Sequence, residues 1–368
     1  VEVVPSTDVP DRMTAEQAQR ALERALAWLV SDQNPDGTWG VFVPSDLMEL
    51  GFAGETYYDW NLASNFLVLL AQLECEPTPE RQAAMERGLQ AACAKRLPVR
   101  GDDWDNDGMW TALYALVALT RAAEDPRFTD GPLAEGIAAR GRDYAQILRR
   151  NQVIEGGWGY YDDRPYTHRP KWATSFSTAC VVPALATAVR LGWLEDESVL
   201  RRAVRYVASC RLPNGAYEYD LNPIPRLQGG EHINAVPGSL GRIQVCNWAL
   251  AEVGVPRVTA DLLREGLAHF LDEHRFLDAA RLRPIPHEAY FANAGYFYFF
   301  GHYYAALAAN LLPVDEREGW HARLRPHLVK AMRENGSTTD FLDADYDVLA
   351  STAFLALALH AGMPGARR

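Results

Sequence analysis

A repeat dominates this 368-residue chain: an amphipathic helix pattern, a loop rich in Gly and aromatic residues, and an apolar helix pattern recur six times, about every sixty residues. The first kind of helix carries Arg and Glu on one face. The second kind is apolar or small nearly all round, as in LASNFLVLLAQL from Leu62. A helix with one apolar stripe belongs at a surface, whereas a helix that is apolar on every side must be covered on every side. The repeat therefore predicts an outer and an inner layer of helices.

The two kinds of helix alternate as six outer/inner hairpins. Outer helices are expected to begin near Thr14, Thr78, Asp130, Asp196, Thr259 and Asp315. Inner helices are expected to begin near Asn61, Asp107, Ala173, Gly238, Ala292 and Asp345. Because no single hairpin can bury its own apolar face, such repeats must pack against one another. We expect an all-α fold, an (α/α)6 barrel or toroid in which the inner helices surround a central cavity.

The repeat also predicts the domain organisation: a single toroid domain over residues 1–368, with an N-terminal extension at 1–13 and a C-terminal tail at 363–368. The net charge of -12 argues against a general affinity for nucleic acid or anionic lipid, since both favour a positive surface. No apolar stretch reaches the length of a transmembrane helix. A peripheral contact with a membrane stays compatible with the sequence.

The cysteines stand one at a time, with no CxxC or other metal-type spacing. They are Cys75, Cys93, Cys180, Cys210 and Cys246. A dispersed, odd-numbered set is typical of core packing in a reducing compartment rather than of a disulfide framework. We therefore expect a cytoplasmic protein without a structural metal site.

A turn motif follows the first and third outer helices: Gln33-x3-Gly37-x-Trp39-Gly40 and Gln152-x3-Gly156-x-Trp158-Gly159. The Gly permits the left-handed conformation that ends a helix, and the aromatic ring folds back over the turn. The Gln amide can tie backbone carbonyls of the turn or of a neighbouring repeat. These residues are expected to brace the fold rather than to take part in chemistry.

With these turns between paired helices, the chain resembles the prenyltransferase and squalene-oxidase repeat family, which includes squalene-hopene cyclases and the β-subunits of protein prenyltransferases. The resemblance covers about residues 14–362. It implies an α/α toroid whose cavity accepts an isoprenoid in the cyclases or a lipid diphosphate in the transferases. The transferase subunits bind zinc through an Asp, a Cys and a His, with the Asp two residues from the Cys. Gln244 stands where Cys246 would need that Asp, which argues against transferase activity.

Three acids, Asp343, Asp345 and Asp347, immediately precede the last apolar helix. Squalene-hopene-type cyclases carry D-x-D-D-T-A at a similar junction, and the resemblance implies that the middle Asp protonates an alkene or epoxide. Asp343 matches the first Asp and Asp345 the middle one, whereas Tyr346 fills the last place and Asp347 stands one position late. We predict Asp345 as the catalytic acid, assisted by Asp343 or Asp347. Helix capping is the alternative explanation for such acids.

A second D-x-D-x-D run includes Asp105 and Asp107. Carboxylate oxygens can hold Mg²⁺ together with substrate phosphates. A true DDxxD motif would need Asp in place of Asn106, so no cofactor is expected unless the substrate is a diphosphate. Arg169 and Lys171 could bind the anionic end of such a substrate, or they could pair with neighbouring acids.

Aromatic residues crowd the loops that enter the inner helices. Ring faces stabilise cations, by about 0.5 to 2 kcal/mol for a well-placed ring, and the same rings can stack on sugars or simply pack between helices. The predicted substrate-binding side chains are Trp110, Trp172, Tyr161, Tyr296, Tyr298 and His302, with the charged residues Asp105, Asp107, Arg169 and Lys171. His302 lies in an apolar helix, as a core histidine or an acid/base group that faces a cavity.

Three functions remain open on the sequence. The first is an enzyme like a terpene cyclase, an isomerase or lyase that folds an apolar isoprenoid in an aromatic cavity and starts carbocation chemistry by protonation. The second is a carbohydrate-active lyase or hydrolase on an (α/α)6 toroid, which would use paired acids or Tyr, His and Arg. The third is a non-catalytic toroid that binds a lipid or peptide.

Overall fold

The secondary structure of the chain is helical. The computed structural model describes residues 10–43, 54–97, 107–160, 170–221, 232–342 and 344–366, and within these ranges β-structure is limited to isolated bridges at turns. The α-helices are α1 (Ala15–Ser31), α2 (Gly54–Glu74), α3 (Pro79–Ala94), α4 (Met109–Ala123), α5 (Gly131–Asn151), α6 (Ser175–Ala179), α7 (Val182–Arg190), α8 (Ser198–Ser209), α9 (Leu240–Glu252), α10 (Ala260–Asp272), α11 (Arg275–Ala280), α12 (Phe297–Asn310), α13 (Val314–Lys330) and α14 (Asp345–Ala361). The all-α prediction is confirmed for these residues.

Most outer helices begin where the capping residues place them. Thr78 is the N-cap of α3, and its hydroxyl accepts a hydrogen bond from the Arg81 N–H at 3.2 Å. Thr259 caps α10 in the same way, accepting from the Leu262 N–H at 3.4 Å. These contacts satisfy N–H groups that have no partner within the helix.

Three inner segments differ from the predicted pattern. Helix α2 begins at Gly54 rather than near Asn61. The third inner segment is divided into α6 and α7, next to Pro183, whose ring nitrogen cannot donate to a continuous helix. The fifth begins at Phe297 rather than near Ala292, because Ala292 has a positive φ of 53° that an α-helix does not accommodate. The short helix α11 was not predicted.

The burial pattern separates the two kinds of helix. In α1 the buried residues follow one face: Ala18, Ala21, Leu22, Ala25, Leu26 and Leu29. In α2, by contrast, every residue from Asn61 to Leu73 is buried. This difference agrees with the outer and inner layers expected from the sequence.

The chain divides into two compact units. The first unit contains residues 1–31, 210–343 and 347–368, and the second contains 32–209 and 344–346. In the first unit the inner helices α9 and α12 pack together, α10 covers both of them, and α1 packs on α13. In the second unit α2, α4 and α7 pack in succession, covered by α3, α5 and α8. The prediction of a single domain stays a prediction.

The turn after α5 shows how the repeated motif works. The Gln152 amide Nε2 donates to the carbonyls of Gly156, at 2.7 Å, and of Val199 on α8, at 2.9 Å. Gly156 has a φ of 111°, and a Cβ added there would lie 2.5 Å from the Arg202 carbonyl oxygen, so both the conformation and the close approach require Gly. Trp158 is fully buried over the turn. These contacts fasten one outer helix to the next.

Among the described helices, none has the combination of length and apolar character that crossing a membrane requires. The five cysteines are all free thiols.

Candidate active site

The three predicted acids of the last junction occupy different environments. Asp343 lies outside the described residues. Asp345 is the first residue of α14 and is exposed. Asp347, in the first turn of the same helix, keeps only 6% of its surface exposed. Of the two acids of this run that the structure describes, only Asp347 is buried, so only its carboxyl is in an environment that disfavours the ionised form.

Asp347 is held by the segment that precedes α14. Its Oδ2 accepts hydrogen bonds from the backbone N–H groups of Phe341 and Leu342, both at 3.2 Å, and from the Thr339 hydroxyl. These three donors favour the ionised carboxylate. Burial opposes them and outweighs them, raising the pKa of Asp347 to about 6.

A second buried acid, Asp340, lies beside this carboxylate. Its side chain is 3% exposed. The Phe299 N–H donates to its Oδ2 at 3.0 Å, and the Ser351 hydroxyl donates to its Oδ1 at 3.2 Å. Burial, and then the charge of Asp347, raise the pKa of Asp340 well above its usual range. Because burial and mutual repulsion both disfavour a second negative charge, the pair retains a proton at a pH where isolated acids have lost theirs.

The backbone around Asp340 is fixed from two sides. Its carbonyl accepts the Leu282 N–H at 2.7 Å, and a Cβ added to Gly295 would lie 2.3 Å from this same oxygen. Arg281 donates to the Thr339 carbonyl at 3.0 Å and brings a positive charge that partly offsets the effects raising the pKa of Asp340. The acid pair thus stands on a rigid frame, which is what a positioned catalytic group requires.

Tyr296, a predicted substrate-binding residue, lies next to this segment. Its ring centroid is 6.0 Å from that of Phe341, and its hydroxyl is 2.9 Å from Nε2 of His287. Burial lowers the pKa of His287, so this imidazole is neutral at pH 7. The structure therefore brings Tyr296 to the neighbourhood of the acid pair.

Tyr298 and His302, on α12, are both buried and contact other protein groups. The Tyr298 hydroxyl donates to the backbone carbonyl of His327 at 3.2 Å. Nε2 of His302 lies 3.2 Å from Nε2 of His274. Their role in substrate binding stays a prediction.

Trp110 and Trp172 meet in one aromatic cluster of the second unit. The Trp110 ring stacks on Tyr160 with centroids 5.6 Å apart and planes 18° apart, and Tyr160 meets Trp172 edge to face at 5.0 Å. The rings of Tyr114 and Phe176 complete the cluster around Trp110.

The predicted anion and magnesium groups are only partly described. Tyr161, Asp105 and Arg169 lie outside the described residues. Lys171 is exposed, and the Asp107 carbonyl accepts the Trp110 N–H at 3.3 Å, just before α4. Binding of a diphosphate or Mg²⁺ by these residues stays a prediction.

Sequence reasoning missed Asp340 because it stands outside the D-x-D-x-D run, in the segment Thr338-Thr339-Asp340-Phe341-Leu342. The signal available was weak: a single acid followed by two apolar residues, Phe341 and Leu342. Only the fold of residues 339–342 over α14 brings Asp340 and Asp347 together.

No profile of a known protein family matches the chain, and no curated protein matches its sequence. Solved structures match over nearly the whole chain. The type II terpene cyclase MstE from Scytonema has 14% identity and a TM-score of 0.52, covering 94% of this chain and 98% of that one. The unsaturated glucuronyl hydrolase from Bacillus sp. GL1 has 13% identity and a TM-score of 0.58, covering 95% and 97%. The cellobiose 2-epimerase from Spirochaeta thermophila has 11% identity and a TM-score of 0.58, covering 94% and 96%.

These similar proteins are α/α toroids, so the predicted (α/α)6 fold is confirmed. They support the toroid in general rather than the prenyltransferase and squalene-oxidase repeat family in particular. The proteins of similar structure include a terpene cyclase as well as a cellobiose epimerase and a glucuronyl hydrolase. Sequence identities this low establish the fold alone.

Proposed function

We propose that this protein is an acid-initiated isoprenoid cyclase in which the Asp340–Asp347 pair supplies the proton. The observation that carries the proposal is the burial of two adjacent carboxyls, 3% and 6% exposed, which keeps a proton on the pair near neutral pH. In the first step the carboxyl O–H bond breaks and a C–H bond forms at an alkene carbon. The substrate becomes a carbocation and the pair becomes more negative by one charge.

The donors around Asp347 suit this step. The N–H groups of Phe341 and Leu342 and the Thr339 hydroxyl stabilise the negative charge that remains when the proton leaves. A substrate that displaces water from the pair would strengthen these interactions further, because electrostatic effects grow in a medium of low dielectric constant. The final proton lost from the cyclised cation returns to the pair or to solvent, which completes the balance.

The substrate class follows from the neighbouring rings. Tyr296 and Phe341 offer aromatic faces next to the acid pair, and such faces stabilise a cation without a charged group that would trap it. Protonation of an alkene releases no diphosphate, so Mg²⁺ would be needed only for a substrate that carries one. The terpene cyclase of similar fold has been solved with geranylgeranyl dihydroxybenzoate as substrate. An apolar polyprene, free or attached to an aromatic ring, is therefore the first substrate to test.

The test is product formation by Asp340→Asn and Asp347→Asn. The purified protein is incubated with squalene, with geranylgeranyl diphosphate and with a prenylated aromatic acid, and products are identified by mass spectrometry. Each variant should lose at least about 100-fold in rate, since general acid catalysis contributes roughly 10²–10⁴-fold. The matched control is Asp315→Asn, an exposed acid in the first turn of α13, which should keep the wild-type rate. Wild-type turnover in both test variants would reject the acid pair.

A second candidate, a carbohydrate-active enzyme, is favoured by the stacked rings of Trp110 and Tyr160, which are partly exposed and would stack equally well on a sugar. Two of the proteins of similar fold act on saccharides by their names. The same mass-spectrometric assay therefore includes acidic oligosaccharides and cellobiose. Turnover of a saccharide that falls in Trp110→Ala, with none of any polyprene, would replace the first proposal by the second.

A further inference from the structure

Three histidines that are far apart in the sequence meet in the first unit. His274 lies between α10 and α11, His302 on α12 and His327 on α13. One ring nitrogen of each lies within 4.8 Å of those of the other two. His274 and His302 are buried, and His327 is half-buried. The intervals of 28 and 25 residues between them have no recognisable metal spacing, so the sequence alone gives no signal of this group.

In His302 and His274, the Nδ1 atom points away from the group and lies within hydrogen-bond distance of an acceptor. Nδ1 of His302 lies 2.8 Å from the Tyr298 carbonyl, which can only accept. Nδ1 of His274 lies 3.0 Å from Oδ2 of the Asp278 carboxylate. A neutral imidazole carries one proton, so each of these rings directs an Nε2 lone pair inward. The two Nε2 atoms face each other at 3.2 Å, and a cation bound between them would satisfy both lone pairs.

The spacing suits a metal ion. Zinc binds imidazole nitrogen at 2.0–2.1 Å in tetrahedral geometry, which places two ligand nitrogens about 3.3 Å apart. The Nε2 atoms of His274 and His302 meet this distance. The ring of His327 lies 3.7 Å from that of His274, centroid to centroid, and among the described residues its ring nitrogens have no hydrogen-bond partner. A ring nitrogen of His327 lies within 4.8 Å of the ligand nitrogens of His274 and His302, so a modest shift of this half-buried side chain would bring it into coordination.

We propose that His274, His302 and His327 bind one Zn²⁺ ion, with Asp278 orienting His274 from behind. Carboxylate, imidazole and metal form the arrangement that fixes the tautomer of a ligand and raises its basicity. A water molecule would complete the four-coordinate shell on the side of half-buried His327. The proposed ion joins α12 to α13 and to the start of α11, and it is independent of the acid pair and of the proposed cyclase activity.

The experiment measures zinc in the full chain, produced without a histidine tag. Protein stripped with EDTA is titrated with ZnCl₂ in competition with a chromophoric chelator, which gives the Kd. The zinc bound per chain is measured by inductively coupled plasma mass spectrometry. We expect about one zinc per chain, visible absorption bands typical of tetrahedral Co²⁺ after cobalt substitution, and a rise in Tm of about 3–4 °C at a hundredfold excess over Kd.

Two variants and one control locate the ion. His327→Ala, chosen because this ligand is only half-buried, should lower the zinc affinity at least about 100-fold, and Asp278→Asn should lower it about 10–100-fold. The control is His321→Ala, which removes a buried histidine of the same helix that contacts Asn310 instead. It should bind zinc as the wild type does. Less than about one tenth of a zinc per chain in the wild type, or equal zinc in His327→Ala and the control, would overturn the proposal.

Discussion

The turn after α5 and the segment before α14 both bury polar side chains close to a helix end, but with opposite energetics. At the turn, the neutral Gln152 amide is paired with backbone carbonyls, and the Trp158 indole N–H donates to the Leu148 carbonyl at 2.8 Å. Such satisfied neutral groups contribute net stability. At the segment, Asp340 and Asp347 place two acids side by side out of water, which raises both pKa values and costs free energy.

This difference in energetics distinguishes side chains that stabilise the fold from side chains that could take part in a reaction. A group that stabilises the fold needs no further explanation, whereas a buried like-charged pair lowers stability and its presence suggests a function. Substitutions should therefore act in opposite ways at the two places. At the turn they should destabilise the protein without touching any reacting group. At the acid pair they should remove activity while leaving the fold as stable as before, or more so.

The largest expected effect on stability is at the turn. Trp158→Ala removes a fully buried indole and its hydrogen bond, and we expect a loss of about 3–5 kcal/mol from the free energy of unfolding. Urea denaturation followed by circular dichroism measures it. The matched control is Ile154→Ala in the same turn, where the side chain is 79% exposed and the change should stay within about 0.5 kcal/mol. Equal losses in the two variants would show that the indole does not brace the repeat.

The turn is also where the sequence was most informative. Gly, Trp and Gln have strong local requirements, and these requirements appear at a fixed spacing that can be read without coordinates. Helix starts were predictable for the same reason, since Thr78 and Thr259 satisfy N–H groups of the helices they precede. The predictions failed where tertiary packing decided, as at α2, which extends back to Gly54, and at the break between α6 and α7.

The next largest effect is the pH dependence of stability. The folded-state pKa of Asp347, about 6, exceeds the ordinary 3.8, so this group stabilises the folded protein fully below about pH 4. The contribution is lost as the pH rises through about 6, and a shift of two units corresponds to about 3 kcal/mol. In Asp347→Asn this part of the dependence should disappear.

The measurement compares wild type and variant by urea denaturation from pH 4 to pH 8. Taking the difference between the two removes the contribution of titrating groups that do not interact with Asp347, and it leaves the contributions of Asp347 and of its neighbour Asp340. The variant should gain stability relative to the wild type as the pH rises, with most of the change between pH 4 and 6.5. A difference that is flat across this range would mean that Asp347 is not destabilised by burial.

The acid pair and the histidine group could not be predicted because their partners are distant in sequence or lack a pattern. Asp347 was within the predicted run, but nothing in the run shows that Asp347 would be buried and Asp345 exposed. Asp340 became its partner only through the fold of residues 339–342. The sequence predicted that an Asp at this junction would be the acid. Which of the Asp residues is buried depends on the side of α14 that faces the interior, and the sequence does not show it.

The smallest effect is expected at Asp345, and it sharpens the comparison most directly. Asp345→Asn removes an exposed charge from the N-terminus of α14, where an acid is favourable by about 0.3–1 kcal/mol. Burial raises the pKa of Asp32 to about 6 and the charge of Asp345 adds to this rise, so the substitution also removes a repulsion. With these effects opposed, stability should change by less than about 0.5 kcal/mol in urea denaturation at pH 7. Product formation should stay within about twofold of the wild type, since Asp345 is not part of the proposed Asp340–Asp347 acid pair. If Asp345→Asn abolished turnover while Asp347→Asn did not, the acid would be the one that the sequence resemblance predicted, and the buried pair would be structural.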